Sequence, residues 1–332
     1  MGNARFVAGD WGTTHLRLFL TDAEGVVLER RDGPGAVEAG GRFAAVFAAQ
    51  TAGWEAQHGT LPAVLCGMVG SSIGWVEAPY VPCPVQPDRI AGACVAIHGA
   101  GRASAARPQI HIVPGLSCRN RFGAPDVLRG EETQLLGLLS LLEPLRAGTQ
   151  LVCLPGTHTK WVVVEDGRIH DFFTAPTGEL FGVLSEHSLL VRKPQAVGAV
   201  SPGTAPGSGG AAGNIEINAE AFGKGVATVV EQPHVALLHR LFECRSRPLS
   251  GELPAAAAAA YLSGLLISSD VLGALRALSG NFAPRSVVLV GALQLTQLYA
   301  TACRALGIEA REVDGVTAAL AGLTQIYRRL LF

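Results

Sequence analysis

A repeated pattern of short strands and glycine–threonine turns constrains this chain more than any other feature. Residues 6–30, FVAGDWGTTHLRLFLTDAEGVVLER, predict a strand, a Gly-Thr turn, an alternating strand, a tight turn and a third strand. Residues 151–173, LVCLPGTHTKWVVVEDGRIHDFF, repeat that layout with small offsets at the turns. We interpret the two segments as copies of one β-turn-β-turn-β unit, each opening one half of the chain.

The position of the second copy predicts where the chain divides. At 332 residues the chain is long for a single hydrophobic core, which favours two domains. We expect an N-terminal lobe over 1–147 and a C-terminal lobe over 148–332, with the last helix packing back on the N-terminal lobe. The Gly/Pro/Ser-rich stretch 200–214 is the alternative boundary, and its composition predicts a surface loop.

Composition narrows the class of protein. Hydrophobic residues make up 48% and charged residues 16%, which supplies a buried core, and the net charge of −1 offers no general attraction to nucleic acid or anionic membrane. The seven cysteines are scattered without a C-x-x-C pair, and the N-terminus has no signal segment, so we expect reduced thiols and a cytoplasmic protein. Serines, a glycine and Asp270 interrupt the apolar stretch 255–275, which predicts a buried helix.

The remaining elements complete a mixed α/β pattern. A buried strand is predicted at 63–67, and a helix at 130–145 begins with two acids, which suit the positive end of its dipole, and continues as a leucine stripe. Near the C-terminus a strand at 286–291 leads directly into a helix, and a closing helix begins at 315. The fold class predicted is therefore α/β, with flanking helices around the duplicated strand units.

The two Gly-Thr turns have the composition of phosphate-binding sites. A glycine at a hairpin tip lets backbone N–H groups approach a ligand, and neighbouring hydroxyls add donors. Asp10, at the head of the first turn, is a candidate Mg²⁺ ligand through water. Two such tips facing each other would hold the phosphates of ATP. The candidate residues are Gly12, Thr13 and Thr14 in the first turn and Gly156, Thr157, His158, Thr159 and Lys160 in the second.

Other phosphate-binding signatures are absent from the sequence. It contains no G-x-x-x-x-G-K-[ST] and no G-x-G-x-x-G after a strand. The strand that ends at Gly291 passes directly into a helix, which leaves room for an adenosine ring against the turn.

The order of these elements resembles the actin/sugar-kinase/Hsp70 ATPase superfamily, and more closely the 2-dehydro-3-deoxygalactonokinase family. The resemblance spans nearly the whole chain and is weakest over 200–214. It is carried by DWGTTHLR, GMVGSSIGWVEAPYVPCP, VPGL, RGEETQLLG, LPGTHTKWV, TGEL and YLSGLLISSD, in that order. The resemblance implies a two-lobed actin-like ATPase (ribonuclease H-like) fold. It also implies a kinase that moves the γ-phosphoryl group of MgATP to the terminal hydroxyl of 2-dehydro-3-deoxy-D-galactonate, in galactonate or galactose catabolism.

Phosphoryl transfer to an alcohol needs an acceptor for the hydroxyl proton. Sugar kinases of similar architecture place an acid at the start of the helix that precedes the second phosphate hairpin, and GEET fills that place here. Glu131 is the favoured base, Glu132 is the alternative and Asp126 is held in reserve. Those relatives usually carry Asp there, so the longer Glu leaves the register open, as does a purely structural role for first-turn helix acids.

The substrate of such a kinase carries a carboxylate, which Arg binds well because its planar fork makes two hydrogen bonds. Arg17 and Arg129 lie within the family-like motifs, as does Lys160. The Gly-rich loop that follows the strand at 63–67 offers backbone N–H groups, hydroxyls and an aromatic floor for a polyol. Its candidate substrate contacts are Gly70, Ser71, Trp75 and Tyr80.

Two other functions are compatible with the same fold. One is a kinase for 2-dehydro-3-deoxygluconate or another small sugar acid, because stereoisomers differ by one hydrogen bond. The other is an actin- or Hsp70-like nucleotide-dependent interaction protein, although the chain has little room for added subdomains. A sugar-responsive repressor would need an N-terminal helix-turn-helix, yet the first strand begins near residue 5. A homodimer is expected only because closed dimers are the commonest oligomers.

Overall fold

Three β-sheets organise the computed structural model, which describes residues 3–97, 110–191, 218–280 and 282–330. The predicted surface loop at 200–214 lies outside the described residues. The chain divides into two compact units. Unit 1 comprises the described residues of Met1–Gln150, Val162–Phe173 and Asp314–Phe332, and unit 2 comprises those of Leu151–Trp161 and Thr174–Val313.

The first sheet lies in unit 1 and has the order β3-β2-β1-β4-β7-β6. Its strands are β1 (Phe6–Trp11), β2 (His15–Thr21), β3 (Val27–Pro34), β4 (Ala63–Gly67), β6 (Val95–Ile97) and β7 (Ile110–Ile112). β1 pairs antiparallel with β2 and parallel with β4. Leu16, Leu18 and Leu20 of β2 are buried in the core, as the alternation in its sequence predicts, and Phe19 and Thr21 on the other face of the strand are buried too.

A smaller sheet in unit 1 has the order β5-β8-β9. Its strands are β5 (Tyr80–Pro82), β8 (Gly115–Arg119) and β9 (Pro125–Leu128). The helices of this unit are α1 (Ala36–Ala39), α2 (Phe43–His58), α3 (Pro87–Ala91), α4 (Glu131–Leu141) and α11 (Gly315–Leu330). α11 crosses α4 so closely that a methyl group on Gly137 would collide with the Ala318 carbonyl oxygen. The last helix of the chain is therefore part of the packing that supports α4.

The second sheet has the order β12-β11-β10-β13-β14. Its strands are β10 (Thr149–Leu154), β11 (Thr159–Glu165), β12 (Arg168–Ala175), β13 (Ser286–Gly291) and β14 (Glu309–Asp314). β10 pairs parallel with β13, as β1 pairs with β4 in the first sheet. In the first sheet, the five strands β3-β2-β1-β4-β7 follow the same order as β12-β11-β10-β13-β14 in the second sheet. The predicted α/β class with duplicated strand units is therefore confirmed.

Helices make up most of the rest of unit 2. They are α5 (Thr177–His187), α6 (Ala219–Glu231), α7 (Leu237–Arg240), α8 (Glu243–Ser250), α9 (Ala258–Leu278) and α10 (Leu293–Ala305). Among the described residues, only the segment Ala255–Leu278 is long and apolar enough to cross a membrane. Most of that segment is buried inside the structure, where Gly225 of α6 lies against Gly264. It is the buried core helix that the sequence predicted.

Candidate active site

The tip of the first hairpin joins β1 to β2 at residues 12–14. Asp10 lies in register with Arg17 on the neighbouring strand, and the Arg17 Nη1 atom is 3.3 Å from the Asp10 Oδ2 atom. Both side chains keep partial exposure, 40% for Arg17 and 30% for Asp10. Burial raises the pKa of the Asp10 carboxyl, and the positive charge and hydrogen bond of Arg17 act in the opposite direction. Arg17 thus supports the charged form of Asp10.

The backbone at the beginning of α1 forms hydrogen bonds with this tip. The backbone N–H of Ala36 donates to the Gly12 carbonyl oxygen at 3.0 Å, and that of Val37 donates to the Thr13 carbonyl oxygen at 3.2 Å. Gly35 lies so close to the tip that a methyl group there would collide with the backbone of Thr13 and Thr14. Because α1 occupies these carbonyl oxygens while Thr13 and Thr14 are exposed, the tip presents hydroxyl groups rather than carbonyls outward. This polarity suits phosphate oxygens.

The end of β4 lies beside Asp10. Gly67 is paired with Trp11 and adopts φ +90°, where a side chain would be strained. A methyl group on Gly67 would stand 2.8 Å from the Trp11 carbonyl oxygen and 3.5 Å from the Asp10 Oδ1 atom. A methyl group on Gly130, which adopts φ +105°, would stand 3.5 Å from the Gly67 Cα atom. Two glycines therefore bring the start of α4 against the strand end next to Asp10.

The first turn of α4 carries Glu131 and Glu132, whose carboxylates hydrogen-bond the residues before the helix. The Arg129 backbone N–H donates to Glu131 Oε2 at 3.0 Å, and the Gly130 backbone N–H donates to Glu132 Oε2 at 2.6 Å. Glu132 is fully buried and also accepts from the Thr133 hydroxyl at 3.1 Å, whereas Glu131 is partly exposed. Of the two acids, Glu131 is the one that solvent or a substrate can reach.

Burial changes the pKa of one of these two acids, Glu132. Desolvation, and secondarily the charge of Glu131, raise the pKa of the Glu132 carboxyl to about 8. Burial also raises the pKa of the Cys66 thiol, with the charges of Asp10 and Glu132 acting in the same direction. Cys66 of β4 therefore lies near both carboxylates, which places Asp10 and the start of α4 in one region of unit 1.

Asp126, the reserve candidate, lies in β9. Its carboxylate accepts a hydrogen bond from the Asn120 side-chain amide at 3.3 Å and from the Val127 backbone N–H at 2.9 Å. These contacts belong to the β8–β9 hairpin.

Arg129 lies between β9 and α4, and its side chain contacts the Gly-rich loop that follows β4. Its Nη2 atom donates to the Ala78 carbonyl oxygen at 2.8 Å, and its guanidinium lies over the Tyr80 ring at 4.4 Å from the centroid. A methyl group on Gly70 would stand 2.9 Å from its Nη1 atom. The Nε and Nη1 atoms are buried and have no hydrogen-bond partner. A buried guanidinium with two unused donors suits an anionic ligand.

The other predicted substrate contacts have partners within unit 1. The Ser71 hydroxyl donates to the Met68 carbonyl oxygen at 2.8 Å, which closes the turn of the loop. Trp75 packs edge-on against Trp11, with ring centroids 6.4 Å apart, and against Phe47. Arg17 is paired with Asp10, as described above. The structure therefore groups Gly70, Tyr80 and Arg129 and gives the remaining three packing or pairing contacts.

The tip of the second hairpin, residues 155–158, joins β10 to β11 in unit 2. Thr157 and His158 are exposed, and His158 Nε2 lies 2.7 Å from Glu179 Oε2. The Glu179 backbone N–H donates to the Thr157 carbonyl oxygen at 2.9 Å, and a methyl group on Gly178 would collide with the Gly156 carbonyl oxygen. The start of α5 thus supports this tip in the same way that the start of α1 supports the first.

Two residues predicted to bind nucleotide face the interior of unit 2 instead. The Thr159 hydroxyl is buried 2.8 Å from the Tyr299 hydroxyl, and the buried Lys160 Nζ atom donates to the Thr174 hydroxyl at 2.8 Å. β11 begins at Thr159, so both residues belong to the strand and not to its exposed tip. Gly156, Thr157 and His158 are the predicted residues that the tip itself contains.

Asp270 is a polar centre of unit 2 to which sequence analysis assigned no role. Its carboxylate accepts hydrogen bonds from the Trp161 indole, the Thr177 hydroxyl and the Tyr299 hydroxyl. A single acid among the mostly apolar residues of α9 is the sequence signal that could have pointed to it, because a carboxylate removed from water needs hydrogen-bond partners.

Gly291 lies where β13 ends, next to the second tip. A methyl group there would stand 3.5 Å from the Pro155 carbonyl oxygen, and α10 begins two residues later. Among residues 3–97, 110–191, 218–280 and 282–330, no three acidic, histidine or cysteine side chains form a group that could hold a metal ion. Asp10 alone must therefore be judged as a metal ligand.

Comparison with known proteins identifies the family. The family model described as 2-keto-3-deoxy-galactonokinase matches residues 10–326. A Rhizobium meliloti (strain 1021) protein assigned as a 2-dehydro-3-deoxygalactonokinase is 38% identical over 335 residues, which cover 98% of this chain and 97% of that protein. The 2-dehydro-3-deoxygalactonokinase of Escherichia coli (strain K12) is 35% identical over 324 residues, which cover 97% of each.

A solved structure agrees with the sequence comparisons. The crystal structure of a Sinorhizobium meliloti protein assigned to the same activity superposes with a TM-score of 0.80 at 36% identity, covering 98% of this chain and 99% of that one. Family, curated relatives and solved structure all extend over nearly the whole chain. The chain therefore belongs to the 2-dehydro-3-deoxygalactonokinase family and is a sugar kinase.

Proposed function

We propose that this kinase transfers the γ-phosphoryl group of MgATP to the 6-hydroxyl of 2-dehydro-3-deoxy-D-galactonate, in the cytoplasm, giving 2-dehydro-3-deoxy-6-phosphogalactonate and ADP. The relatives described above carry the name of this activity. The geometric observation that supports it best lies in unit 1. There a hydroxyl-bearing hairpin tip, the Asp10 carboxylate and the acidic first turn of α4 adjoin one another.

The residues of the first hairpin fit a magnesium-bound triphosphate. Asp10 has the carboxylate oxygens that Mg²⁺ prefers, and a single carboxylate is enough because this ion keeps most of its water and phosphate ligands. Thr13 and Thr14 present hydroxyl groups for phosphate oxygens, and Gly12 lets the backbone of the tip come close to them. Mg²⁺, when bound, neutralises the charge of the phosphates. We assign the same phosphate-binding role to Gly156, Thr157 and His158, and adenosine binding to the turn at Gly291.

Glu131 is the base in this proposal. As the hydroxyl oxygen of the sugar acid attacks phosphorus and the bond from phosphorus to the ADP oxygen breaks, the hydroxyl proton passes to the Glu131 carboxylate. Glu132 is less suited to this role, because its side chain is fully buried and burial raises its pKa to about 8. The buried Glu132 instead binds the Gly130 backbone N–H and so fixes the turn that carries Glu131.

Arg129 receives the substrate carboxylate in this proposal. Its buried Nε and Nη1 atoms lie next to the Tyr80 ring, and each can donate a hydrogen bond to an anionic group. Arg17 is the alternative, but its pairing with Asp10 gives it a role beside the metal ligand.

The roles of Asp10 and Glu131 can be separated by kinetics. Glu131→Gln should lower kcat by about 100- to 10,000-fold, the usual contribution of a general base, with the affinity for MgADP nearly unchanged. Asp10→Asn should weaken the binding of MgADP and the dependence on Mg²⁺. Calorimetric MgADP binding and turnover measure both, and carbon–phosphorus coupling in the product by NMR should place the phosphate on C6. Full turnover by Glu131→Gln, with loss in Glu132→Gln or Asp126→Asn, would contradict the assignment of the base.

A further inference from the structure

Asp270 is the one carboxylate of α9 and lies in the middle of that buried helix. Three side chains from three different elements donate to it. The Trp161 Nε1 atom of β11 is 2.8 Å from Asp270 Oδ1, and the hydroxyls of Thr177 and Tyr299 are each 2.7 Å from Asp270 Oδ2. All three donors are buried. Three donors of the protein thus bind this partly exposed carboxylate, and they offset the cost of removing it from water while they stay in place.

Each branch of this network leads to the second hairpin. Tyr299, besides donating to Asp270, lies 2.8 Å from the hydroxyl of Thr159, the first residue of β11. Trp161 lies two residues further along the same strand. Asp270 therefore holds the strand that leaves the tip at two points, one direct and one through Tyr299.

The third branch holds the helix that supports the tip. Thr177 is the first residue of α5, and the next two residues of that helix touch the tip. Gly178 packs on the Gly156 carbonyl oxygen, and the Glu179 backbone N–H donates to the Thr157 carbonyl oxygen at 2.9 Å. The position of Thr177 therefore bears on the position of the tip.

We propose that Asp270 is a positioning residue for nucleotide binding: through Trp161, Thr177 and Tyr299 it fixes both the strand and the helix between which the second tip is held. This inference rests on the proposed phosphate-binding role of that tip. A carboxylate suits the task because it accepts from three donors and donates to none. An amide at the same place offers one uncharged oxygen and an NH₂ donor, so at least one of the three donors would lose its acceptor.

Calorimetric binding of MgADP, which needs no turnover, tests the proposal. In Asp270→Asn the Kd for MgADP should rise about tenfold, the equivalent of about 1.4 kcal/mol. The KM for MgATP should rise with it, while the KM for the sugar acid stays within about twofold. Thr177→Val, which removes the branch to α5 alone, should raise the Kd by a smaller factor and is the second test should Asp270→Asn not fold. In the double variant the two effects should not add, because both act through one contact.

Glu243→Gln is the matched control. Glu243 is another carboxylate of unit 2 that accepts from a tyrosine of α9, Tyr261, at 2.6 Å, and it belongs to a cluster with Arg247. The Glu243→Gln variant should have a lower melting temperature than the wild type and the same Kd for MgADP. A wild-type protein that does not bind MgADP would contradict the proposed function. Wild-type binding with the same Kd in Asp270→Asn and Thr177→Val, or an equal rise in Glu243→Gln, would overturn the positioning role.

Discussion

At the scale of single residues, the two adjacent glutamates of α4 show how a difference in burial gives identical side chains different roles. Glu131 is partly exposed and its carboxylate accepts from the Arg129 backbone N–H, whereas Glu132 is fully buried next to it. Sequence pattern alone could not separate them, because both occupy the first turn of the same helix. Which of two neighbouring helical positions faces the core depends on the elements packed there, in this case α11 and β4.

The raised pKa of Glu132 makes stability depend on pH in a definite direction. The folded-state pKa of about 8 exceeds the ordinary value of 4.5, so the contribution is fully present below about pH 4.5 and is lost as pH rises towards 8. Between about pH 5.5 and pH 8 the wild type should lose about 3 kcal/mol of unfolding free energy more than Glu132→Gln. Urea unfolding at both pH values measures this. Glu38→Gln, at an exposed position of α1, should show the same change in unfolding free energy between the two pH values as the wild type. The same change in Glu132→Gln would contradict the assignment of this pH dependence to the burial of Glu132.

Arg129 gives a second prediction at this scale. Arg129→Lys keeps the charge but loses the planar fork, so the KM for the sugar acid should rise about 10- to 100-fold, as expected for a charged hydrogen bond of about 1.5–3 kcal/mol. The KM for MgATP should change little, and Arg30→Gln on the exposed face of β3 should change neither. Steady-state kinetics in both substrates measure the split. If Arg17→Gln raises the KM for the sugar acid and Arg129→Lys does not, the carboxylate site has been misassigned.

At the scale of elements, the duplication extends further than the sequence pattern indicates. In each copy the helix that follows the third strand, α1 or α5, donates a backbone N–H to a carbonyl oxygen of the hairpin tip. A glycine at the start of that helix, Gly35 or Gly178, allows the close approach. The two helices differ in length, and no common sequence motif marks them, so the repeat was visible in the strands alone.

Gly178 tests this packing. In Gly178→Ala the added methyl group would collide with the Gly156 carbonyl oxygen, so α5 must move away from the tip. The Kd for MgADP should rise several-fold, and the melting temperature should fall by a few degrees. Gly182→Ala is the matched control in the same helix, because nothing lies within 4 Å of its added methyl group. It should be neutral or stabilise by up to about 1 kcal/mol, since Ala favours helix; equal behaviour of the two variants would contradict the account.

The strands and helices were predictable from sequence where periodicity and turn residues agreed. The strand at 63–67 and the acid-led helix after Gly130 are examples. The burial of Thr159 and Lys160 was not predictable, because alternation along a strand does not say where its exposed tip ends or what covers each face. The same reason hid the network around Asp270, whose partners come from β11, α5 and α10 and meet only in the folded protein.

At the scale of the whole molecule, the chain returns to its first unit at its end. A methyl group on Gly322 of α11 would collide with the Thr133 carbonyl oxygen, one turn or less from Glu131 in α4. The helix that carries the proposed base is thus packed against a helix that follows unit 2 in the sequence. Residues 315–330 belong to unit 1, so a single cut of the chain between residues 150 and 151 would not separate the two units.

A coupled ADP-release assay tests most directly whether this kinase phosphorylates 2-dehydro-3-deoxy-D-galactonate. With MgATP supplied, the assay compares the galactonate and gluconate epimers of the 2-dehydro-3-deoxy sugar acid. We expect kcat/KM to be at least about tenfold higher for the galactonate epimer, the value of one well-placed hydrogen bond. Preference for the gluconate epimer, or ADP release that no sugar acid stimulates, would contradict the proposed reaction while leaving the fold and family as they are.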